Sequence, residues 1–254
     1  MRLKTAWVVI FVFVTVFHSA ARCRAEGLSE ISIAPSEILI SMFYSGQKLN
    51  ISGTIPSGND VIVGIEGPAQ SQAFNMKGKV GPLWMNVGKV KIEHLPSLYL
   101  LLLPEGKIWQ ERLASMGIGQ AKLKSEMSVT PLNLSKDEIF DRFVRLKQSE
   151  GLYDNIGGAV SYAPITKERK RFEAGVYFPS AITPDDYTIT ITLVHDSTIE
   201  DTAVRTIPVK EVGVVQLVRR LANHHELAYG IACVIIALAA GLAMGLIFKG
   251  GGGH

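Results

Sequence analysis

Apolar residues gather at both ends of the chain and alternate with polar ones between. Arg2 and Lys4 precede an apolar run from Ala6 to Phe17, and the small residues Ser19, Ala20, Ala21 and Ala25 follow it. That order predicts a secretory signal peptide over residues 1–25. The run is too short to cross a bilayer comfortably. At the other end no charge interrupts Leu227 to Phe248. About 22 residues at roughly 1.5 Å each reach about 33 Å, against a hydrocarbon core of about 30 Å. A transmembrane helix is therefore expected at 227–248.

Between these ends the period changes twice. Residues 26–105 read as short strands punctuated by Gly and Pro: Ile38 to Ile40, Leu49 to Ile55, Val61 to Val63, Phe74 to Val80, Trp84 to Ile92 and Leu98 to Leu103. Such spacing predicts a β-sandwich lobe. The run Leu98 to Leu103 is apolar on both faces, so a strand inside a sheet is expected there. Residues 106–158 turn helical, with one short helix over Ile108 to Met116 and a stronger one over Ser135 to Glu150. In the second, Ser135 and Glu138 form the pattern of a capping box and Leu134 can staple to Ile139. Ile139, Phe140, Phe143, Val144 and Leu146 make its apolar side.

Strands return over 159–210. Tyr187, Ile189, Ile191 and Leu193 alternate with Thr188, Thr190 and Thr192, which predicts one buried face and one wet β-branched face. Asp186-Tyr187 at the start of that strand resembles the tyrosine corner of immunoglobulin-like sandwiches. The fold class expected is mainly β: immunoglobulin-like sandwich lobes with a helical insertion. Two lobes, or one sandwich carrying the insertion, both fit. Over 211–226, Val214, Leu217, Val218 and Leu221 fall on one helical side. A juxtamembrane amphipathic helix is expected, continuous with the anchor because no proline separates them.

Composition narrows the function classes. The net charge is only +3 over 254 residues and the basic residues are scattered, unlike the concentrated basic face that nucleic acid requires. The two cysteines, Cys23 and Cys233, lie in the expected leader and in the anchor. The exposed domain should thus hold no disulfide, though an exported compartment would permit one. With the leader removed, the domain is expected outside the membrane and residues 249–254 in the cytoplasm. Arg219 and Arg220 against a lone Lys249 run contrary to the positive-inside rule. The export signal outweighs so few charges.

Candidate chemistry is sparse. His195-Asp196 sits at a turn, and neighbours along a strand point to opposite faces, so a base and its orienter are not expected. His224-His225-Glu226 does not supply the three or four converging ligands of a metal site. Lys167, Arg169, Lys170 and Arg171 form a basic loop, either solvated or in surface contact with anionic headgroups or an acidic partner. No nucleophile elbow, haem motif or phosphate-cradling loop occurs. Catalytic residues, cofactors and metal ligands are therefore all expected to be absent. In the anchor, Ala237, Gly241 and Gly245 recur every four residues and share one helix face, where a second helix could pack closely.

Several stretches in order resemble the alphaproteobacterial putative transmembrane protein family. They are Lys77-Gly78-Lys79-Val80-Gly81 with Leu83-Trp84-Met85-Asn86, Leu95 to Leu100, Glu150 to Tyr153, Phe178 to Ala181 with Asp186-Tyr187-Thr188, and Leu227 to Gly230. The resemblance covers nearly the whole mature chain. It carries no catalytic residues over, and it implies an accessory role beside sulfite-exporter-like permeases. Together these readings lead us to expect a non-enzymatic, membrane-anchored periplasmic protein. Its expected partners are membrane lipid and an integral membrane protein or its own copy, with no nucleic acid. The alternative is a periplasmic binding module for a small anion or metal ion.

Overall fold

A computed structural model describes residues 27–249 apart from 107, 132 and 133. The signal peptide expected at 1–25, and the tail past Lys249, lie outside the described residues. Among the described residues the chain is mainly β, with thirteen strands and a C-terminal apolar helix.

Two larger sheets enclose the core. The first runs in the order β1 (Ser29–Ala34), β3 (Gln47–Pro56), β11 (Arg169–Phe178), β10 (Val160–Pro164). The second runs β2 (Ile38–Ile40), β13 (Thr198–Glu211), β12 (Asp185–His195), β4 (Asp60–Glu66), β7 (Tyr99–Leu103), β9 (Tyr153–Gly157). Alternation decides which face turns inward. Leu49, Ile51 and Ile55 of β3 are fully buried, and so are Phe172 and Phe178 of β11 and Tyr187, Ile189 and Ile191 of β12. These rows belong to one continuous core. The chain crosses between these sheets after β1, β2, β3, β9 and β11.

Strands from residues 26–105 and 159–210 therefore interleave in both sheets: β3 pairs with β11, and β4 with β12. The two segments share one core instead of standing apart. The strand order resembles that of a variable-type immunoglobulin sandwich, with β2 added at the edge beside β13 and with both β2–β13 and β7–β9 paired in parallel. Tyr187 adds the corner, its hydroxyl donating to the Thr183 carbonyl at 3.0 Å.

Three expectations need correction. First, Phe74 to Val80 and Trp84 to Ile92 do not enter the sandwich. They become β5 (Ala69–Val80) and β6 (Leu83–Pro96), a long hairpin that with β8 (Ser128–Thr130) makes a separate three-stranded sheet. Gly81, at φ 61°, supplies the left-handed turn residue that pairs the two strands with each other. Second, the insertion holds three helices: α1 (Trp109–Ser115), α2 (Gln120–Glu126) and α3 (Lys136–Ser149). Third, the threonine face of β12 is not wet, since Thr192 is buried and Thr188 and Thr190 are half-buried.

The strand expected inside a sheet is there. All of β7 is buried, with β4 on one side and β9 on the other. The insertion covers it through specific contacts. Tyr99 Oη accepts from the Gly119 N–H at 3.1 Å, and Lys122 of α2 pairs with Glu66 of β4 at 2.9 Å.

Helix α3 starts as its sequence requires. The Ser135 side chain accepts from the Glu138 N–H at 3.4 Å. The Glu138 carboxylate, however, pairs with Arg142 one turn on instead of closing the box. Phe140, Phe143 and Val144 are buried as expected, but Leu146 is exposed and Lys147 is buried in its place. Lys147 manages this by pairing with Glu150 at 3.1 Å and lying 5.7 Å from the Phe143 ring centre. Phe143 in turn sits in an aromatic ladder. Successive ring centres from Tyr99 to Tyr153, Phe143 and Phe74 are 5.9, 5.8 and 6.1 Å apart. The ladder ties the root of the β5–β6 hairpin to the sandwich.

Candidate membrane anchor and interaction surfaces

The chain leaves the sandwich through two helices, α4 (Val214–His224) and α5 (Glu226–Lys249). A single continuous helix was expected, and the structure breaks it at His225, with φ −138° and ψ 56°. His225 ends one helix and starts the next: its N–H bonds to the Leu221 carbonyl at 3.0 Å, and its carbonyl accepts from the Tyr229 N–H at 2.9 Å. Both helices thus keep their terminal hydrogen bonds without proline or glycine. The break separates a one-sided apolar helix from one that is apolar all round, and these two patterns suit different surroundings.

Helix α5 is the candidate span. Glu226–Phe248 has a mean hydropathy of 2.7, and none of it is buried against the rest of the chain. An apolar helix with no protein neighbour is stable where hydrocarbon replaces water. Ala237, Gly241 and Gly245 share one face, where they line a shallow groove with Leu238, Leu242 and Leu246. A Cβ added at Gly241 or Gly245 would meet no atom within 4 Å. The groove is open for a second helix to approach.

Helix α4 presents Val214, Leu217 and Val218 to the outside. The middle of the helix is tied to the sandwich by Arg219, whose guanidinium lies 2.6 Å from Glu211 at the end of β13. Arg219 and Arg220 still count against the expected orientation, because the bias is one of Lys and Arg and not of net charge.

The basic loop divides. Arg169 donates to Ser29 Oγ and to the Thr54 carbonyl, which locks β11 to β3 and β1. Lys170 lies 3.6 Å from Asp60 and 4.0 Å from the Tyr162 ring centre. Lys167 and Arg171 remain exposed. Half of the loop's positive charge is thus spent on internal contacts.

The histidine motifs behave differently from each other. Asp196 belongs to a turn, at φ 52°, and this brings its carboxylate 3.6 Å from His195 Nε2. That is closer than alternation along a strand allows, yet longer than a hydrogen bond. Both side chains face solvent, and His195 Nδ1 contacts the Gly58 carbonyl at 3.2 Å. Among the described residues no three His, Cys, Asp or Glu side chains converge as metal ligands, and His224-His225-Glu226 is no exception.

Sequence reasoning also missed a cleft. Between α3 and the hairpin, a space of ≈ 350 Å³ is lined by Phe74, Met76, Ile139, Phe143 and Leu146, with Lys77 and Arg142 at its polar side. Only the register between the hairpin and α3 brings these residues together, so no local motif announced them.

Buried phenols mark the interior. Burial raises the hydroxyls of Tyr99, Tyr153 and Tyr162 above the ordinary tyrosine range, and pushes Tyr44 up to about 12. Each of the first three also makes a hydrogen bond: to Gly119 N–H, to the Pro96 carbonyl at 2.6 Å, and with the Val61 N–H at 2.9 Å. These are structural tyrosines, neutral at working pH.

A family model with the description "Putative transmembrane protein (Alph_Pro_TM)" matches residues 30–250. No curated protein matches the chain.

Proposed function

The chain belongs to the Alph_Pro_TM family of putative transmembrane proteins, and from that membership we propose a non-enzymatic, single-pass envelope protein whose β domain supports a membrane partner. The observation that carries the reading is the open face of Ala237, Gly241 and Gly245 on an otherwise unburied apolar helix. Small residues let a second helix come close enough for van der Waals contact to hold it. The partner is an integral membrane protein, with a sulfite-exporter-like permease as the first candidate, or a second copy of this chain.

The export pattern over residues 1–25 supports a periplasmic domain with its C-terminus in the cytoplasm of a bacterial cell. Among the described residues, Arg169 and Lys170 bind the sandwich, and His195-Asp196 lies exposed at a hairpin turn. That distribution supports a binding or scaffolding role over an enzymatic one.

The test is recovery of the partner from native membranes in mild detergent. Gly241→Leu with Gly245→Leu should reduce it several-fold while the chain stays in the membrane fraction. Recovery equal to the unaltered chain would remove helix docking from the account. A second reading, a binding module for a small anion, is favoured only by the cleft with Lys77 and Arg142 at its polar side. Its mark would be a rise in Tm with anion concentration.

A further inference from the structure

The β5–β6 hairpin outruns its support. Beyond the aromatic ladder that ends at Phe74, residues 79–89 are all exposed. Five of the exposed side chains are large and apolar: Val80, Leu83, Trp84, Met85 and Val87 are each more than half accessible to solvent. The pairing sorts them. Val80 stands opposite Leu83, Gly78 opposite Met85, Lys79 opposite Trp84 and Lys77 opposite Asn86. Cross-strand partners share a face and successive residues alternate. Val80, Leu83 and Met85 therefore fall on one face. Val87 joins them, because a Cβ placed on Gly78 would lie 2.8 Å from its methyl groups. The other face carries Lys77, Lys79, Trp84 and Asn86.

This arrangement has the chemistry of a bilayer interface. Aliphatic side chains form one side, a tryptophan occupies the other, and cations surround them. Tryptophan favours the headgroup level, and lysine can lie along apolar surface while its ammonium reaches anionic phosphate. Between Ala69 and Pro96 there are four lysines and one acid, Glu93, which already pairs with Lys91. Among the described residues, Lys77, Lys79 and Lys89 make no ion pair. The tip offers two exposed faces, which suit a fluid surface better than a shaped protein pocket. The candidate span α5 holds the domain beside such a surface, so even a weak contact would be populated.

We propose that this tip is a second membrane contact. Val80, Leu83, Met85 and Val87 enter the leaflet of the same bilayer that α5 crosses, Trp84 sits among the headgroups, and Lys77, Lys79 and Lys89 meet anionic lipid. The contact would fix the tilt of the sandwich over the membrane, which one helix end cannot do.

The full chain carrying Trp7→Phe, which leaves Trp84 and Trp109 as its tryptophans, provides the test in lipid nanodiscs. Discs of phosphatidylcholine, with and without phosphatidylglycerol, are made with ordinary or bromine-substituted acyl chains, and tryptophan emission is read. The expected result is a blue-shifted component, quenched by bromolipid and stronger with phosphatidylglycerol, which Trp84→Phe removes. Leu83→Asp with Met85→Asp should abolish most of that quenching while the emission of buried Trp109 stays in place, showing the fold intact. Quenching that is the same in the unaltered chain and in Trp84→Phe would overturn the proposal. So would a Trp84 shielded from aqueous iodide yet untouched by bromolipid, since the tip would then be covered by protein.

Discussion

Tyr187 Oη and the backbone of Thr183 exchange two hydrogen bonds: the hydroxyl donates to the carbonyl at 3.0 Å and accepts from the N–H at 3.2 Å. The tyrosine ring is fully buried and meets Phe178 edge-on at 5.8 Å between centres. One side chain thus pins the crossing between the sheets to the start of β12. Tyr187→Phe keeps the ring and loses both bonds. A stability loss of about 1 kcal/mol is expected, read as a lower denaturation midpoint at unchanged slope.

Phe172 packs over Gly53 on the neighbouring strand, where an added Cβ would lie 2.7 Å from the ring. The ring is fully buried and cannot swing out. Gly53→Ala should therefore destabilise the sandwich by about 1–3 kcal/mol, the usual range for overpacking. Thermal unfolding would show it as a Tm shift of several degrees.

Lys147 is buried beside Glu150, which is partly exposed. A buried pair adds little over an apolar residue of similar shape, while an ammonium stripped of its partner is costly. Lys147→Met should leave stability unchanged or higher. Glu150→Gln should lower it by about 1 kcal/mol, the solvent around Glu150 limiting the loss. Only Glu150→Gln should lose stability, and urea denaturation distinguishes the two.

Alkaline pH should weaken the fold through its buried tyrosines. Tyr99, Tyr153 and Tyr162 are raised by burial, and Tyr44 is pushed from 10.0 to about 12. In the unfolded chain these phenols ionise near pH 10, whereas folding holds them neutral. Their contribution is complete below that pH and is lost as pH rises through the folded values. Tm should be flat up to about pH 9 and fall steeply above about pH 10. Phenolate absorbance should appear together with unfolding, not before it.

The sequence was most legible where one physical signal decided the outcome. Strict alternation in Tyr187, Ile189, Ile191 and Leu193 marked β12, a run apolar on both faces marked β7, and the serine cap marked the start of α3. Pairing was harder. Alternation in β5 and β6 says that each is a strand but not which sheet it joins, so both were assigned to the sandwich. Helix α2 gave no signal, since Leu123 is its one buried residue. The break at His225 lacks the proline or glycine that would announce it. Leu146 and Lys147 exchanged roles because a lysine can hide its stem where a carboxylate waits at the end of the helix. In the candidate sites, the open face of α5 followed from spacing alone. The hairpin tip and the cleft at its root needed register, because both assemble residues from different elements.

The account depends most on α5 crossing a bilayer between the β domain and the tail. With Cys23 and Cys233 replaced by serine, single cysteines are introduced by Ser180→Cys in the domain and Gly252→Cys in the tail. Each is then exposed to a membrane-impermeant maleimide before and after permeabilisation. The account expects Ser180→Cys to label in intact spheroplasts and Gly252→Cys to label only once the membrane is opened. Labelling of both from the same side would contradict it.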